Sequence, residues 1–197
     1  THVDELGRMD SVAGDGDHGI GMQRGSHAAL AAATNAVTAG AGARTTLERA
    51  ADAWSDRAGG TSGALWGVIL SSIATELGDA GAPEPTAVAR GVDAAARGVM
   101  AYGKAEVGDK TLVDALVPFA ETLTAQVASR DLAAAWTAAA KASTEAAAAT
   151  ADLLPRMGRA RTHGEHSVGT PDPGAHSLAL IASAVGAMLA DPTLEEN

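Results

Sequence analysis

Apolar residues recur along most of the chain at spacings of three and four, which is the period of a helix with one buried face. The stretch 86–102 shows this clearly, with a stripe made of Val88, Val92, Ala95, Val99 and Tyr102. Alanine dominates the composition, β-branched residues are scattered singly, and no convincing strand pattern occurs. The pattern therefore predicts an all-α protein.

We predict about eight helices. The first ends near Asp10, and the others cover approximately residues 20–35, 45–58, 62–77, 86–102, 111–127, 131–154 and 174–189. Thr45 or Thr46 is the predicted N-cap of the third helix, and Asp131 is that of the seventh. Residues 34–43 are predicted to form a loop. Most connections are short enough for consecutive helices to pack antiparallel.

The 197 residues suffice for one domain with a sizeable core, and we expect a single domain over residues 1–197. Helix-like sequence is already under way at Thr1, so the chain is expected to begin inside a longer one or after a disordered lead. Cysteine is absent, which excludes a disulfide framework and a thiol nucleophile. The longest apolar run, residues 177–190, is too short to span a bilayer, and no leader sequence is recognised. We therefore expect a cytoplasmic protein without a membrane partner.

The formal net charge is −10, and the clusters of Lys and Arg that bind nucleic-acid phosphates are lacking. We therefore expect no nucleic-acid partner. An acidic protein that binds a phosphate ligand usually needs a metal ion between the two.

Three carboxylates, Asp10, Asp15 and Asp17, lie in a glycine-rich stretch between residues 9 and 21. Close together, they would repel one another by roughly 4 kcal/mol per contacting pair at a near-surface dielectric, unless a cation lay between them. Mg²⁺ typically combines a few carboxylates with substrate phosphates. The stretch therefore predicts a magnesium site, with a solvated acidic turn as the alternative.

Two other patterns overlap this stretch and fit it less well. Gly14, Gly16 and Gly19 match the dinucleotide-binding G-x-G-x-x-G, but no predicted strand precedes them. A calcium loop beginning at Asp15 would have Ile20 where glycine is required and Ser26 where glutamate is required.

Three further segments are candidates for ligand binding. Residues 59–63 precede a helix whose N-terminal N–H groups favour an anion, although an ordinary cap by Thr61 or Ser62 is the alternative. Residues 103–111 are similar to a P-loop, but no strand precedes them and Asp109 interrupts the Gly-Lys-Thr core. These residues could still form a turn at a ligand site, in which Gly103 permits close approach of a flat ligand and Leu112 packs on a purine. The alternative is a polar turn between helices.

Residues 155–173 lack helical period, and unstructured stretches of this length inside a domain are usually functional. Arg159 and Arg161 are expected to bracket a polyphosphate opposite the three aspartates. His163 and His166 have no accompanying third zinc ligand, so surface positions are expected for them. Residues 172–174 cap the last helix and are expected to present N–H groups.

Four motifs occur in the same order as in the nucleotide-binding (DhaL/Dak2) domain of dihydroxyacetone kinases, and the chain resembles that family from about residue 10 to residue 180. The motifs are Asp10-x4-Asp15-Gly16-Asp17-His18-Gly19, Gly59-Gly60-Thr61-Ser62-Gly63, residues 103–111 with the following Asp114, and residues 158–175. The resemblance implies an all-α barrel of eight antiparallel helices with the nucleotide site at one end.

The resemblance also implies the site. Asp10, Asp15 and Asp17 would hold two Mg²⁺ ions that bridge to the phosphates of ADP or ATP. The nucleotide would be lined by His18, Gly19, Ile20, Gly21, Thr61, Ser62, Gly103, Leu112, Arg159, Asp172, Pro173 and Gly174. No catalytic base is expected, because phosphoryl transfer depends mainly on positioning and charge neutralisation. The family holds its ketose covalently on a separate DhaK/Dak1-like domain or subunit, so the chain would be a kinase component inactive without that partner.

One loop departs from the family pattern. Where relatives often carry Ser-Tyr-Leu-Gly-Glu-Arg, residues 161–166 read Arg-Thr-His-Gly-Glu-His. The sequence leaves two alternatives for the ketose substrate, which are dihydroxyacetone and another short ketose such as erythrulose. Two further points stay open. The nucleotide is either ATP that exchanges as a true substrate or bound ADP that a phosphotransferase-system phosphocarrier rephosphorylates. The chain could also form a homodimer. The alternatives from other classes are a nucleotide-sensing regulatory module and a metal-binding helical bundle without nucleotide.

Overall fold

The computed structural model describes residues 2–157 and 164–191, and within those ranges the regular structure is helical, without a strand. The helices described are α1 (His2–Asp10), α2 (His18–Thr38), α3 (Ala43–Ala58), α4 (Gly60–Glu76), α5 (Pro85–Gly103), α6 (Val113–Gln126), α7 (Leu132–Ala149) and α8 (Pro173–Ala190). A short 3₁₀ turn, Thr150–Asp152, follows α7. The prediction of an all-α protein is confirmed.

The helices form a closed ring. Each packs against the next in sequence, and α8 completes the ring through contacts with α1 and α2. Successive helices run antiparallel, so their connections alternate between two ends of the barrel. The cleft end carries the connections α1–α2, α3–α4, α5–α6 and α7–α8, whereas the far end carries α2–α3, α4–α5 and α6–α7.

Small residues make the close packing of this ring possible. Most of the buried core positions in α5, α7 and α8 are alanines, and aromatic residues make up only 3% of the chain. Trp54 of α3 stacks on Trp66 of α4 with ring centroids 4.7 Å apart. A Cβ atom on Gly25 of α2 would lie 2.5 Å from the Trp54 indole nitrogen. Glycine at this position therefore lets α2 approach the tryptophan pair.

Two predicted helix boundaries are wrong. Residues 34–38 continue α2 instead of forming a loop, and α3 begins at Ala43, before either predicted threonine cap. The first turn of α3 is closed by Asp79 of the α4–α5 connection, which accepts hydrogen bonds from the Thr45 N–H (2.9 Å) and the Thr45 hydroxyl (2.8 Å). A cap supplied by a residue so far along the chain leaves no local signal.

Helix α8 is long and apolar enough, by length and composition alone, to cross a membrane, with a mean hydropathy of 1.4. The helix is also longer than the apolar run at residues 177–190, from which the sequence predicted a segment too short to span a bilayer. Helix α8 packs mainly on α7 and also on α6 and α1. These contacts bury 33% of the helix in the described structure.

Candidate functional site

A cleft of about 810 Å³ opens at the cleft end, where the four connections meet. Of the predicted site residues, it is lined by Asp10, Asp15, Asp17, His18, Ile20, Gly21, Thr61, Ser62, Gly103, Leu112, Asp172, Pro173 and Gly174. Gly19 does not line it. Arg159, Arg161 and His163 lie outside the described residues. The structure thus brings together side chains that are up to 164 positions apart in sequence.

The three aspartates converge at one side of the cleft. Each offers a carboxylate oxygen, and these oxygens all lie within 4.8 Å of one another. Asp10 is half-buried at the end of α1, whereas Asp15 and Asp17 are exposed in the connection before α2. Oxygen ligands at such separations suit a hard divalent cation that keeps open positions for water or phosphate. The residues present therefore fit a magnesium site.

The loop that carries these aspartates folds tightly around the end of α1. The Gly14 N–H donates to the Asp10 carbonyl at 2.6 Å, and a Cβ atom on Gly14 would lie 2.3 Å from Asp10 Oδ1. Gly16 has φ +79°, a conformation that side chains disfavour. The His18 N–H then donates to Asp10 Oδ2 at 3.3 Å, which links the start of α2 to the first aspartate.

His18 connects α2 to α8 at the edge of the cleft. Its Nε2 lies 3.0 Å from the hydroxyl of Ser177, and that hydroxyl donates to the Gly174 carbonyl at 3.0 Å. Burial lowers the pKa of His18, and the charge of Asp10 only partly opposes this. A neutral imidazole is therefore favoured at neutral pH.

Gly19 has a packing role that the sequence did not indicate. It is buried against α1, and a Cβ atom there would lie 2.0 Å from the Val3 carbonyl oxygen. Glycine at this position lets α1 cross close to the start of α2, so the residue supports the aspartate loop instead of lining the cleft.

The start of α4 faces the cleft without a side-chain cap. Its N-cap is Gly59, with φ +69°, and Thr61 and Ser62 lie exposed within the first turn. The alternative that either hydroxyl caps the helix is therefore wrong. First-turn N–H groups and two hydroxyls are oriented around a helix N-terminus, an arrangement that favours an anion.

The start of α8 differs, because the Asp172 side chain already accepts hydrogen bonds from the N–H groups of that helix. The Asp172 carboxylate accepts from the Ala175 N–H at 2.8 Å, so the expectation that this helix presents free N–H groups is wrong for Ala175. Burial raises the pKa of Asp172 to about 7, the Ala175 N–H opposes this, and the nearby charge of Asp114 adds to it. Residues 172–174 therefore form one wall of the cleft.

The wall beside residues 172–174 is apolar. Leu112 precedes α6 and is 7% exposed, and a Cβ atom on Gly174 would lie 3.4 Å from Leu112 Cβ. The same part of the cleft is lined by Leu65, Val99, Ala105 and Met157. This surface could receive a flat, weakly polar group such as a purine, as the sequence analysis expected for Leu112.

Sequence reasoning missed two cationic residues that line the cleft. Arg24 is exposed on α2 and has no hydrogen-bond or ion-pair partner within residues 2–157 and 164–191. The spacing from His18 through Gly21 to Arg24 places all three on one face of α2, and this period could have revealed it. Lys110 is only 5% exposed, and its contacts are with residues 151–167, so no local pattern marks it.

No zinc site was expected at His163 and His166, because the sequence places no third ligand beside them. His166 is exposed, and His163 lies outside the described residues. In the described part of the chain, the aspartate trio is the one group of three or more His, Cys, Asp or Glu residues close enough to share a metal ion.

Comparison with known proteins gives consistent results. The model of the DAK2 domain family matches residues 12–187. The chain is 55% identical to the L-erythrulose kinase of Pectobacterium atrosepticum, over 98% of this chain but only 33% of that protein. It is 31% identical to PEP-dependent dihydroxyacetone kinase 1, ADP-binding subunit DhaL, of Listeria innocua, over 91% of this chain and 84% of that one.

Among solved structures, the fold is similar to that of the dihydroxyacetone kinase from C. freundii in complex with AMP-PNP and Mg²⁺. The TM-score is 0.63 at 24% identity, and the match covers 94% of this chain and 30% of that one. The chain therefore spans about a third of the length of the erythrulose kinase and of the solved kinase. The family match over most of the chain, together with the shared helical fold, shows that this chain belongs to the DAK2 domain family.

Proposed function

We propose that this chain is the nucleotide-binding component of a kinase that transfers a phosphoryl group to a short ketose held by a separate domain or subunit. The observation that carries the proposal is the convergence of the oxygens of Asp10, Asp15 and Asp17 within 4.8 Å at the mouth of the cleft. The other sides of the cleft offer an uncapped helix start and an apolar wall, which suit a phosphate chain and a base. The relatives named as kinases support the same assignment.

In this proposal the three aspartates hold two Mg²⁺ ions, which would neutralise charge on the phosphate oxygens of ADP or ATP. The α4 N-terminus binds phosphate oxygens through N–H groups and through the hydroxyls of Thr61 and Ser62. Leu112 and the apolar residues around it receive the adenine. His18 holds the two sides of the cleft together through Ser177.

We assign no catalytic base to this chain. Phosphoryl transfer needs mainly positioning and electrostatic stabilisation, and the described cleft supplies both. The ketose-binding partner, a DhaK/Dak1-like domain or subunit, supplies the acceptor hydroxyl. The open mouth of the cleft, where Asp15 and Asp17 are exposed, is where that partner would approach.

We infer that the ketose is erythrulose in preference to dihydroxyacetone, because the relative at 55% identity is named an erythrulose kinase and the dihydroxyacetone kinase subunit is 31% identical. The same comparison favours ATP as a direct substrate over ADP that a phosphotransferase-system phosphocarrier rephosphorylates, since only the more distant relative is named PEP-dependent.

Calorimetric titration of ADP tests the nucleotide assignment. We expect binding in the presence of Mg²⁺ and loss of binding when EDTA removes it, because the phosphates and the three carboxylates are all negatively charged. Binding of equal strength with and without the metal ion would contradict the proposal.

The kinase assignment needs a ketose-binding partner domain. Supplied with that domain, ATP and Mg²⁺, the chain should phosphorylate erythrulose faster than dihydroxyacetone, measured as ADP release. Transfer that occurs only with a phosphocarrier and PEP would replace the ATP assignment, and tight nucleotide binding with no transfer under any condition would favour the regulatory module.

A further inference from the structure

Lys110 joins two connections at the cleft end. It lies in the α5–α6 connection, residues 104–112, and its Nζ donates to the carbonyl oxygens of Ser167 (2.8 Å), Leu153 (3.1 Å) and Ala151 (3.5 Å). All three acceptors belong to the α7–α8 connection, residues 150–172. Burial lowers the pKa of Lys110, and Asp172 and then Asp152 oppose this. An ammonium group this buried is tolerated because carbonyl oxygens replace its water.

Asp114 fixes the connection that carries Lys110. Its Oδ1 accepts from the Gly108 N–H at 2.5 Å, and its Oδ2 accepts from the Thr111 N–H at 2.7 Å. The side chain is 5% exposed at the start of α6. These two bonds close the turn in which Lys110 has φ +59°, a left-handed conformation that is uncommon for a residue with a side chain.

The two connections joined in this way carry adjoining walls of the cleft. Leu112 lies at the end of one and Asp172 at the end of the other, and Gly174 packs closely on Leu112. The backbone adds a further link, because the Arg156 N–H donates to the Asp109 carbonyl at 3.1 Å. Since the Lys110 ammonium is occupied by three carbonyls, it is not free to bind a phosphate as the lysine of a P-loop does.

We propose that Lys110 and Asp114 are positioning residues that fix the two adjoining cleft walls relative to each other and thereby set the affinity of the chain for Mg²⁺-nucleotide. The inference rests on the proposed function, because the affinity in question is that of the nucleotide. Neither residue needs to touch the ligand. Their effect comes from preorganisation, since walls already held in place need not be ordered when the nucleotide binds.

The test compares Lys110→Met and Asp114→Asn with the wild-type chain and with Asp79→Asn, by calorimetric titration of Mg²⁺-ADP. Asp79 is a matched control, because it also accepts two hydrogen bonds across connections but lies at the far end. We expect Kd to rise by about 10- to 100-fold in the first two variants, the range for lost charge-assisted hydrogen bonds, and to stay unchanged in the control. Lys110→Arg, which retains the charge, should recover part of the affinity.

A second readout separates positioning from overall stability. The Gly169 N–H donates to the Ala151 carbonyl within the connection that Lys110 holds, so its amide exchange should accelerate in Lys110→Met. The Thr45 amide at the far end should exchange as in the wild type. Melting temperatures of all variants, measured without nucleotide, show whether affinity follows the local change or the global stability.

The outcomes are distinct. A wild-type chain that fails to bind Mg²⁺-ADP would refute the proposed function. A wild-type chain that binds, with Lys110→Met and Asp114→Asn binding equally well, would refute the positioning role alone. Loss of folding in both variants, or a Kd that rises equally in Asp79→Asn, would also overturn it, because the residues would then act on the fold as a whole.

Discussion

The two ends of the barrel use the same kinds of residue for opposite purposes. At the far end, Asp79 and Asp131 each accept hydrogen bonds at a helix start, and the connections turn with only two residues of positive φ, Gly40 and Gly81. At the cleft end, three aspartates face one another. Positive φ values accumulate there at Gly16, Gly59, Gly60, Lys104, Gly108, Lys110 and Gly169.

This difference separates groups that stabilise the fold from groups held ready for a ligand. The far-end carboxylates satisfy N–H groups within the chain. At the cleft end, Asp114 and Asp172 also bond chain N–H groups. The difference lies in the aspartate trio, whose oxygens are close enough to repel one another, and in the α4 start, which has no side-chain cap. The cleft end should therefore be the less stable end without ligand, as is common for binding sites. Each prediction below changes one end and measures the effect on binding and on stability.

The largest effect is expected for the double variant Asp15→Ala with Asp17→Ala. Affinity for ADP in the presence of Mg²⁺ should fall by about 100-fold or more, because two of the three carboxylates that gather the cation are gone. The melting temperature without metal is measured alongside, so that the change in affinity is read from folded protein. Calorimetry and thermal melting in EDTA measure the two quantities. Unchanged affinity would show that the trio does not hold the metal for the nucleotide.

The complementary change is Asp79→Ala with Asp131→Ala at the far end. Each substitution removes a carboxylate that accepts hydrogen bonds from the first turn of a helix, so the free energy of unfolding should fall. Urea denaturation measures this loss. Mg²⁺-ADP affinity should equal that of the wild type at a temperature where the variant is folded. A matching loss of affinity would mean that the two ends are not independent.

A smaller effect is expected for Arg24→Met. The guanidinium faces the cleft without a partner in the described part of the chain, so it can contact a phosphate or the approaching partner domain. Because Arg24 is exposed, solvent weakens the contact, and we expect affinity to fall by roughly threefold to tenfold. Arg49→Met is the control, since Arg49 is exposed on α3 and does not line the cleft. Equal behaviour of the two variants would remove Arg24 from the site.

The smallest effect concerns pH, and its sign differs between the ends. The pKa of Asp172 is raised to about 7 from 3.8, so the folded state retains a proton that the unfolded state releases. The stability of the unliganded chain should therefore fall as pH rises from about 4 to about 7 and then level off. Asp172→Asn keeps a cap for Ala175 and should flatten this dependence. Urea denaturation at pH 5 and pH 8 measures it, and an unchanged slope would contradict the assignment.

At the far end, the N–H and hydroxyl of Thr45 lower the pKa of Asp79. Its contribution is therefore present above its unfolded pKa and is lost as pH falls through its folded pKa. Asp79→Asn should therefore lower stability at neutral pH and should remove the loss of stability on the acid side, whereas Asp172→Asn should remove the dependence between about pH 4 and pH 7.

Much of the fold could be predicted from the sequence, because helical periodicity and alanine content are local properties. The missed boundaries have non-local causes. Residues 34–38 remain helical because α2 packs along α3, and α3 begins early because Asp79 closes it from another connection. Propensity alone does not include either contact.

The candidate site divides in the same way. Asp10, Asp15 and Asp17 were predicted because their spacing and their glycines are visible in one short stretch. Ser177 and Lys110 were missed because their partners, His18 and the carbonyls of residues 151–167, come from other parts of the chain. The prediction that Arg159 lines the nucleotide stays a prediction, since it lies outside the described residues.

Asp10 ends α1, and α1 is the helix through which α8 meets α2 to close the ring. The first carboxylate of the trio is thus also part of the seam of the barrel. A cation shared by Asp10, Asp15 and Asp17 would bind only the arrangement in which the end of α1 lies against the connection to α2, so by mass action it would stabilise that part of the seam.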